Sequence, residues 1–226
     1  MLGLLSLGLG TQAGAQPGAP ARDQAVARPA ADRTAAGQPG QPGKGKFLVA
    51  SRSLADPNFR RTVVFLVEYG EQGALGVIVN RPTAAKLSDV VEPEGAERLD
   101  DPIYWGGPVA HGAMLLLLRA SEAPEGALPV FRNVYRSGSR ELLERLLSHP
   151  DSVENLRIYS GHAGWIPGQL EAEIERGGWH VMPADPDLVF TTAPSAVWSE
   201  LIRRATALRA RRESVPSGGQ VALAGM

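Results

Sequence analysis

Two apolar runs set the strongest constraint on this chain. Thr62–Tyr69 (TVVFLVEY) and Leu75–Val79 (LGVIV) carry β-branched, aliphatic and aromatic residues at nearly every position. Such runs are predicted strands. The connection Gly70-Glu71-Gln72-Gly73 is short and tolerates positive φ, so the two strands are expected to form a hairpin. A strand that is apolar on successive residues has no face to offer to water. The hairpin must therefore be covered on both faces or close into a small barrel.

The same reading finds further short elements. Phe47–Ala50, Ile103–Trp105, Ala113–Leu118, Val130–Tyr135, Leu156–Tyr159 and Trp179–Met182 are predicted strands. One helical turn is expected over Leu87–Val91, followed by a loop enforced by Pro93, Gly95 and Pro102. Ser139 is placed to cap a helix with Glu141 in its first turn, Leu142, Leu143, Leu146 and Leu147 on one face, and Pro150 as its stop. Pro167–Arg176 reads as a short helix with Gly177-Gly178 past its end. Ala193 to about Arg212 reads as the last helix, with Val197, Leu201 and Ala205 on one stripe. Strands outnumber helices and do not alternate strictly with them, so the fold class is α+β, a single domain of many short, mostly antiparallel strands flanked by helices.

That domain is expected over residues 46–212, a length that suits one core. Residues 1–45 are rich in Ala, Gly, Pro and Gln, lack aromatics and have no amphipathic period. They are expected to form a flexible extension, because they cannot bury enough apolar surface to offset ordering. Within it, Leu2–Leu9 followed by Ala13-Gly14-Ala15 resembles a signal-peptide core and cleavage site, without the positive leading segment. Residues 213–226 are expected to be a loose tail.

Composition excludes several functions. With no cysteine, disulfides, thiolate metal sites and cysteine nucleophiles are ruled out. Lys+Arg is 23 against Asp+Glu 24. That balance argues against a broad basic surface, and no DNA-reading motif accompanies the arginines 203, 204, 209, 211 and 212. Direct DNA binding is therefore not expected. No run of about 18 apolar residues is present to span a membrane. His162, His180, Glu171 and Glu173 lack metal-ligand spacing, so no metal site is expected, and no nucleotide fingerprint suggests a cofactor.

Four clusters stand out: Asp56-Pro57-Asn58-Phe59; Gly73–Pro82 ending in Asn80-Arg81-Pro82; Gly106-Gly107-Pro108-Val109; and Gly161-His162-Ala163-Gly164-Trp165, running into Gly168-Gln169-Leu170-Glu171 and on to Glu173 and Trp179. In this order and spacing the set resembles the YqgE/AlgH family over about residues 46–206. The resemblance implies a bifurcated sheet with a small closed barrel, a cytosolic location, and a transcriptional-regulator label that comes without an established catalytic set or cofactor. Two positions depart from the family pattern. His162 stands where many members have Tyr, and Gly177 where many have Asn. A ligand held by that tyrosine or asparagine would be held differently here. The balance of family and leader-like residues favours the cytosol slightly, with export to the periplasm as the alternative.

Each cluster has a functional and a scaffold reading. Asn80 and Arg81 can hold a carboxylate or phosphate, but a strand end that bonds nearby backbone is the favoured reading. Gly106 and Gly107 can bring an N–H against an anion, but a tight turn is favoured. The fourth cluster reads as a glycine-rich strand-to-helix turn whose helix N-terminus suits an anion, with Trp165, Gln169, Glu171 and Glu173 around it. The function expected is a non-enzymatic regulatory or binding module for a small anionic ligand or a protein partner, acting on transcription, if at all, through that partner. The alternative is a hydrolase using His162 as acid/base with Glu171 or Glu173.

Overall fold

The computed structural model describes residues 40–89 and 101–213. The leader-like segment, the end of the turn at 87–91 with Pro93 and Gly95, and the tail from 214 lie outside the described residues.

Ten strands form one bifurcated, mostly antiparallel sheet: β1 (Lys46–Ala50), β2 (Val63–Gly70), β3 (Gly73–Ile78), β4 (Pro82–Lys86), β5 (Pro102–Trp105), β6 (Val109–Arg119), β7 (Leu128–Phe131), β8 (Val134–Ser137), β9 (Asn155–Trp165) and β10 (Trp179–Pro183). The main path runs β10-β1-β2-β3-β9-β6-β8-β7, with β5 joining β4 to β9. The sheet curls into a half-barrel, and helices cover it. These are α1 (Arg140–Ser148), α2 (Gln169–Glu175), α3 (Pro186–Val189) and α4 (Pro194–Glu213).

The doubly apolar hairpin is covered as its sequence requires. Phe47, Val49, Val63, Phe65 and Val77 point into the curl, where Val197, Leu201, Ile202 and Ala205 of α4 pack on them. Leu48, Val64, Leu66 and Ile78 point the other way, onto Leu170 of α2, Trp165 and Trp179. A third cluster, Leu116, Leu118, Leu142, Leu143, Leu146, Leu156 and Ile158, seats α1 on the outer face of β6 and β9. The Ser139 hydroxyl accepts from the Leu142 amide and caps α1 as expected.

Three elements differ from expectation. The run at 130–135 is not one strand but the hairpin β7–β8, turned at Arg132, whose φ is 49°. β4 follows Asn80-Arg81 although it begins with proline and is exposed throughout. It pairs only with the short β5. The largest difference is β9. Expected to end at Tyr159, it continues through the glycine cluster to Trp165.

β9 continues because it is the branch strand. At Tyr159 and Ser160 it pairs in parallel with Tyr104 and Trp105 of β5. From Ala163 to Trp165 it pairs with Gly76 to Ala74 of β3. β3 and β5 therefore share its two halves. The junction is stitched by the Ile78 amide to the Gly106 carbonyl and the Gly106 amide to the Ser160 carbonyl, both 2.9 Å. Backbones meet so closely there that a Cβ on Gly106 would lie 2.2 Å from the Gly161 oxygen, and one on Gly107 2.3 Å from the His162 carbonyl carbon.

Candidate functional site

The long β9 changes what the fourth cluster is. Residues 161–165 are strand, and the turn into α2 is Ile166-Pro167-Gly168. Alternation then separates the candidates. Ala163 and Trp165 face the core beneath α2, whereas His162 and Gly164 face the opposite side. His162 makes no side-chain hydrogen bond to Glu171, Glu173 or any other of the described residues. The expected acid/base pairing of His162 with Glu171 or Glu173 is not assembled. The anion reading of the helix start also weakens. α2 has 7 residues, begins from Gly168 in the left-handed region without a side-chain cap, and is too short to gather a large axial dipole.

What does assemble is centred on Glu173. Its Oε2 accepts from two indoles, Trp165 Nε1 at 3.0 Å and Trp179 Nε1 at 2.8 Å. Its Oε1 accepts from Gln169 Nε2 at 3.0 Å, one helical turn earlier. The other end of the Gln169 amide, Oε1, accepts from the Ile166 amide at 3.3 Å and ties the turn to the helix. Trp165 and Trp179 are 6% and 3% exposed, so their N–H groups have little other means of satisfaction. Phe59 completes the group. Its ring stacks on Trp165 with centroids 6.1 Å apart and meets Trp179 edge-on at 5.5 Å. These residues wall a cavity of about 440 Å³ that also takes in Asp56, Ala55 and Arg176.

The other candidates are spent elsewhere. Asn80 Oδ1 accepts from the Val63 amide at 2.8 Å, and its Nδ2 donates to the Arg61 carbonyl at 3.0 Å. Arg81 donates to the carbonyls of Asn58 and Arg60, at 2.7 and 3.0 Å, and lies over the Trp105 ring. Partial burial, then the neighbouring Arg60 charge, lowers its pKa. Arg81 thus clamps the loop that carries Phe59, a positioning role. Gly106 and Gly107 serve the sheet junction. Glu171 belongs to a separate place: it accepts from the Tyr69 hydroxyl at 2.7 Å. Burial, with that bond and the carboxylate charge, pushes the Tyr69 pKa up to about 12.

Sequence reasoning missed Phe59 and Arg176 as cavity residues and left Trp179 outside the candidate ligand-binding residues. Phe59 lay in a named cluster, but nothing in Asp-Pro-Asn-Phe says which wall its ring joins. A second cavity, of about 330 Å³, was also missed. There Arg157 lies over Tyr104 and donates to the carbonyls of Val189 and Thr191, the same use of a guanidinium as in Arg81. Among the described residues no three His, Asp or Glu side chains gather as metal ligands do. No helix there is long and apolar enough to cross a membrane.

Comparison with known proteins places this arrangement. The AlgH-like family model matches residues 47–208. A UPF0301 protein of Chlorobaculum tepidum is 36% identical over 160 residues, covering 70% of this chain and 84% of its own length. A UPF0301 protein of Anaeromyxobacter dehalogenans is 41% identical over 169 residues, 70% of this chain and 85% of its own. Among solved structures, the AlgH protein of Pseudomonas aeruginosa superposes with a TM-score of 0.62 at 30% identity, covering 79% of this chain and 97% of that one. A protein of Corynebacterium diphtheriae gives 0.63 at 26% identity, covering 75% and 90%. The ordered motifs, the branched half-barrel and these relatives agree: the chain belongs to the AlgH-like, or YqgE/AlgH, family.

Proposed function

We propose that this protein is a binding module that works through the cavity beside Glu173 and performs no chemistry of its own. Any regulatory effect is then exerted through what it binds and not by reading DNA. The observation that carries this reading is the carboxylate of Glu173, held by three N–H donors in the wall of a cavity of about 440 Å³. A group fixed by donors on both oxygens is preorganised for recognition, since little ordering remains to be lost when a ligand arrives. The hydrolase alternative has less support. His162 does not line this cavity, although Gly164 beside its ring does, and Glu171 is engaged by Tyr69. The charge of the site also revises the expected ligand. Its ionisable lining is Asp56 and Glu173 against one guanidinium, Arg176, which does not favour a small anion.

The test is thermal unfolding of the whole protein against a panel of nucleotides, sugar phosphates, carboxylates and amines. A ligand at 100 times its dissociation constant stabilises by about 2.7 kcal/mol. Ala55 is exposed on the cavity wall, so Ala55→Trp fills the space without disturbing the core. The expected result is a hit lost in Ala55→Trp and retained in His162→Ala. A hit retained in Ala55→Trp and lost in His162→Ala, or turnover of the hit that His162→Ala abolishes, overturns the reading.

A further inference from the structure

Resting on that binding reading, we infer that the ligand of the Glu173 cavity presents an organic cation, a guanidinium or primary ammonium group, to the Glu173 carboxylate. Three facts point there. First, all three groups bonded to Glu173 are neutral, and no cation among the described residues lies within ion-pair distance of it. An ionised carboxylate has about four acceptor positions, so three neutral bonds hold its geometry and leave both its charge and one position open. Second, Asp56 adds another carboxylate to the same lining. Its Oδ1 accepts from the Asn58 amide at 2.7 Å, which fixes its direction. Third, Phe59, Trp165 and Trp179 build that wall from aromatic rings, which suit a partly desolvated cation better than an anion.

Arg176 gives the inference a sign. It lines the same cavity, three residues after Glu173, without pairing to it. It repels a bound cation and would attract a bound anion. Its removal therefore moves affinity in opposite directions for the two ligand classes.

The experiment reads the indole N–H resonances of the whole protein. The chain has four tryptophans. Trp165 and Trp179 report the cavity, while Trp198, bonded to the Ala50 carbonyl, and Trp105, under Arg81, serve as internal references. Agmatine supplies a free guanidinium, and capped Gly-Arg-Gly supplies one on a polypeptide. The matching capped citrulline peptide keeps the shape without the charge, and succinate supplies an anion. The expected result is that agmatine, the arginine peptide or both shift the Trp165 and Trp179 signals. The citrulline peptide should bind about tenfold more weakly or worse, since charge-assisted bonds are roughly twice as strong as neutral ones. Arg176→Ala should tighten the cation by about twofold, the scale of a partly screened charge. Response to agmatine alone assigns a free amine, and response to the peptide alone assigns a partner's side chain. Equal binding of the citrulline peptide, preference for succinate, or weakening by Arg176→Ala overturns the cation assignment and leaves the cavity reading standing. If no cation shifts the indoles while a panel hit is still blocked by Ala55→Trp, the cation assignment again falls alone. If nothing shifts them and no hit depends on Ala55, both fall.

Discussion

The sheet junction and the Glu173 cavity both draw on the clusters that stand out in the sequence and end up opposite in character. At the junction, Gly106, Asn80 and Arg81 direct their polar atoms at the protein's own backbone, and Gly107 and Gly161 let backbones approach closely. Around the cavity, Trp165, Trp179 and Gln169 direct theirs at one side-chain carboxylate. The first arrangement leaves little unsaturated and nothing to recognise. The second fixes a negative charge in the wall of a cavity. Glycines and strand-end polar residues therefore do not identify a site. What identifies it is where their bonding capacity ends.

The largest test of that contrast is at the junction. Gly107 has φ 152° and would place a Cβ 2.3 to 2.4 Å from the β9 backbone. Backbone cannot yield as a side-chain tip can, so Gly107→Ala should cost more than about 4 kcal/mol or abolish folding, in the class of exceptional single substitutions. Gly168 also has positive φ, at 79°, but a Cβ there meets nothing within 4 Å. Gly168→Ala should cost only about 1 kcal/mol, the left-handed penalty alone. Urea unfolding of the two variants measures the difference. Similar losses would mean that close approach is not what the junction glycines provide.

An intermediate effect separates the two glutamates of α2. Glu173→Ala leaves two nearly buried indole N–H groups without acceptors. An unsatisfied buried donor costs about 1–3 kcal/mol, so about 2–6 kcal/mol is expected for the pair, reduced by whatever water the cavity admits. Glu171→Ala removes one bond to a tyrosine that is 38% exposed. It should change stability by about 0.5 kcal/mol or less, as surface substitutions do. Tryptophan fluorescence gives a second readout: the emission of Trp165 and Trp179 should shift in the first variant only. Equal losses would remove the distinction between a cavity carboxylate and a surface one.

The legible parts of this structure are those where local physics decides. The apolar runs at 62–69 and 75–79 declared their hairpin and their two-sided burial. The Ser139 cap and the leucine face declared α1, and the Val197, Leu201 and Ala205 stripe declared α4. The illegible parts depend on partners distant in sequence. Gly161 and Gly164 looked like a turn because glycine breaks regular patterns. In β9 they are strand residues, and at the branch the absent side chain of Gly161 lets the β5–β6 connection approach. That extension of β9 also turned His162 and Trp165 to opposite faces, since one strand residue more or less reverses every side chain. The hairpin at Arg132-Asn133 was hidden inside an apolar run, and Arg132 takes a positive φ that its residue type does not advertise. Of the site, Trp165, Gln169 and Glu173 were readable as a group by helical spacing and proximity. Phe59 and Arg81 were not, because the loop between β1 and β2 is placed by Arg81 bonds spanning 21 and 23 residues.

The smallest effect is one of pH, and it probes the surface end of the comparison. The Tyr69 hydroxyl donates to Glu171, and its pKa is raised to about 12, by partial burial first and by the carboxylate second. The unfolded chain ionises the same phenol near its ordinary value of about 10. With the folded pKa above the unfolded one, the contribution is fully present below about pH 10 and is lost as pH rises through about 12. Because the group is 38% exposed, the loss should be small, a modest steepening of alkaline destabilisation. Tyr69→Phe removes the titrating group and should flatten that segment of the stability curve, while Glu173→Gln should leave it unchanged. A Tyr69→Phe profile identical to that of the parent between pH 10 and 12 would show that the Tyr69 phenol is not raised in the folded protein. A flattened one would show that the Tyr69 phenol is raised in the folded protein, by its burial and by Glu171 together.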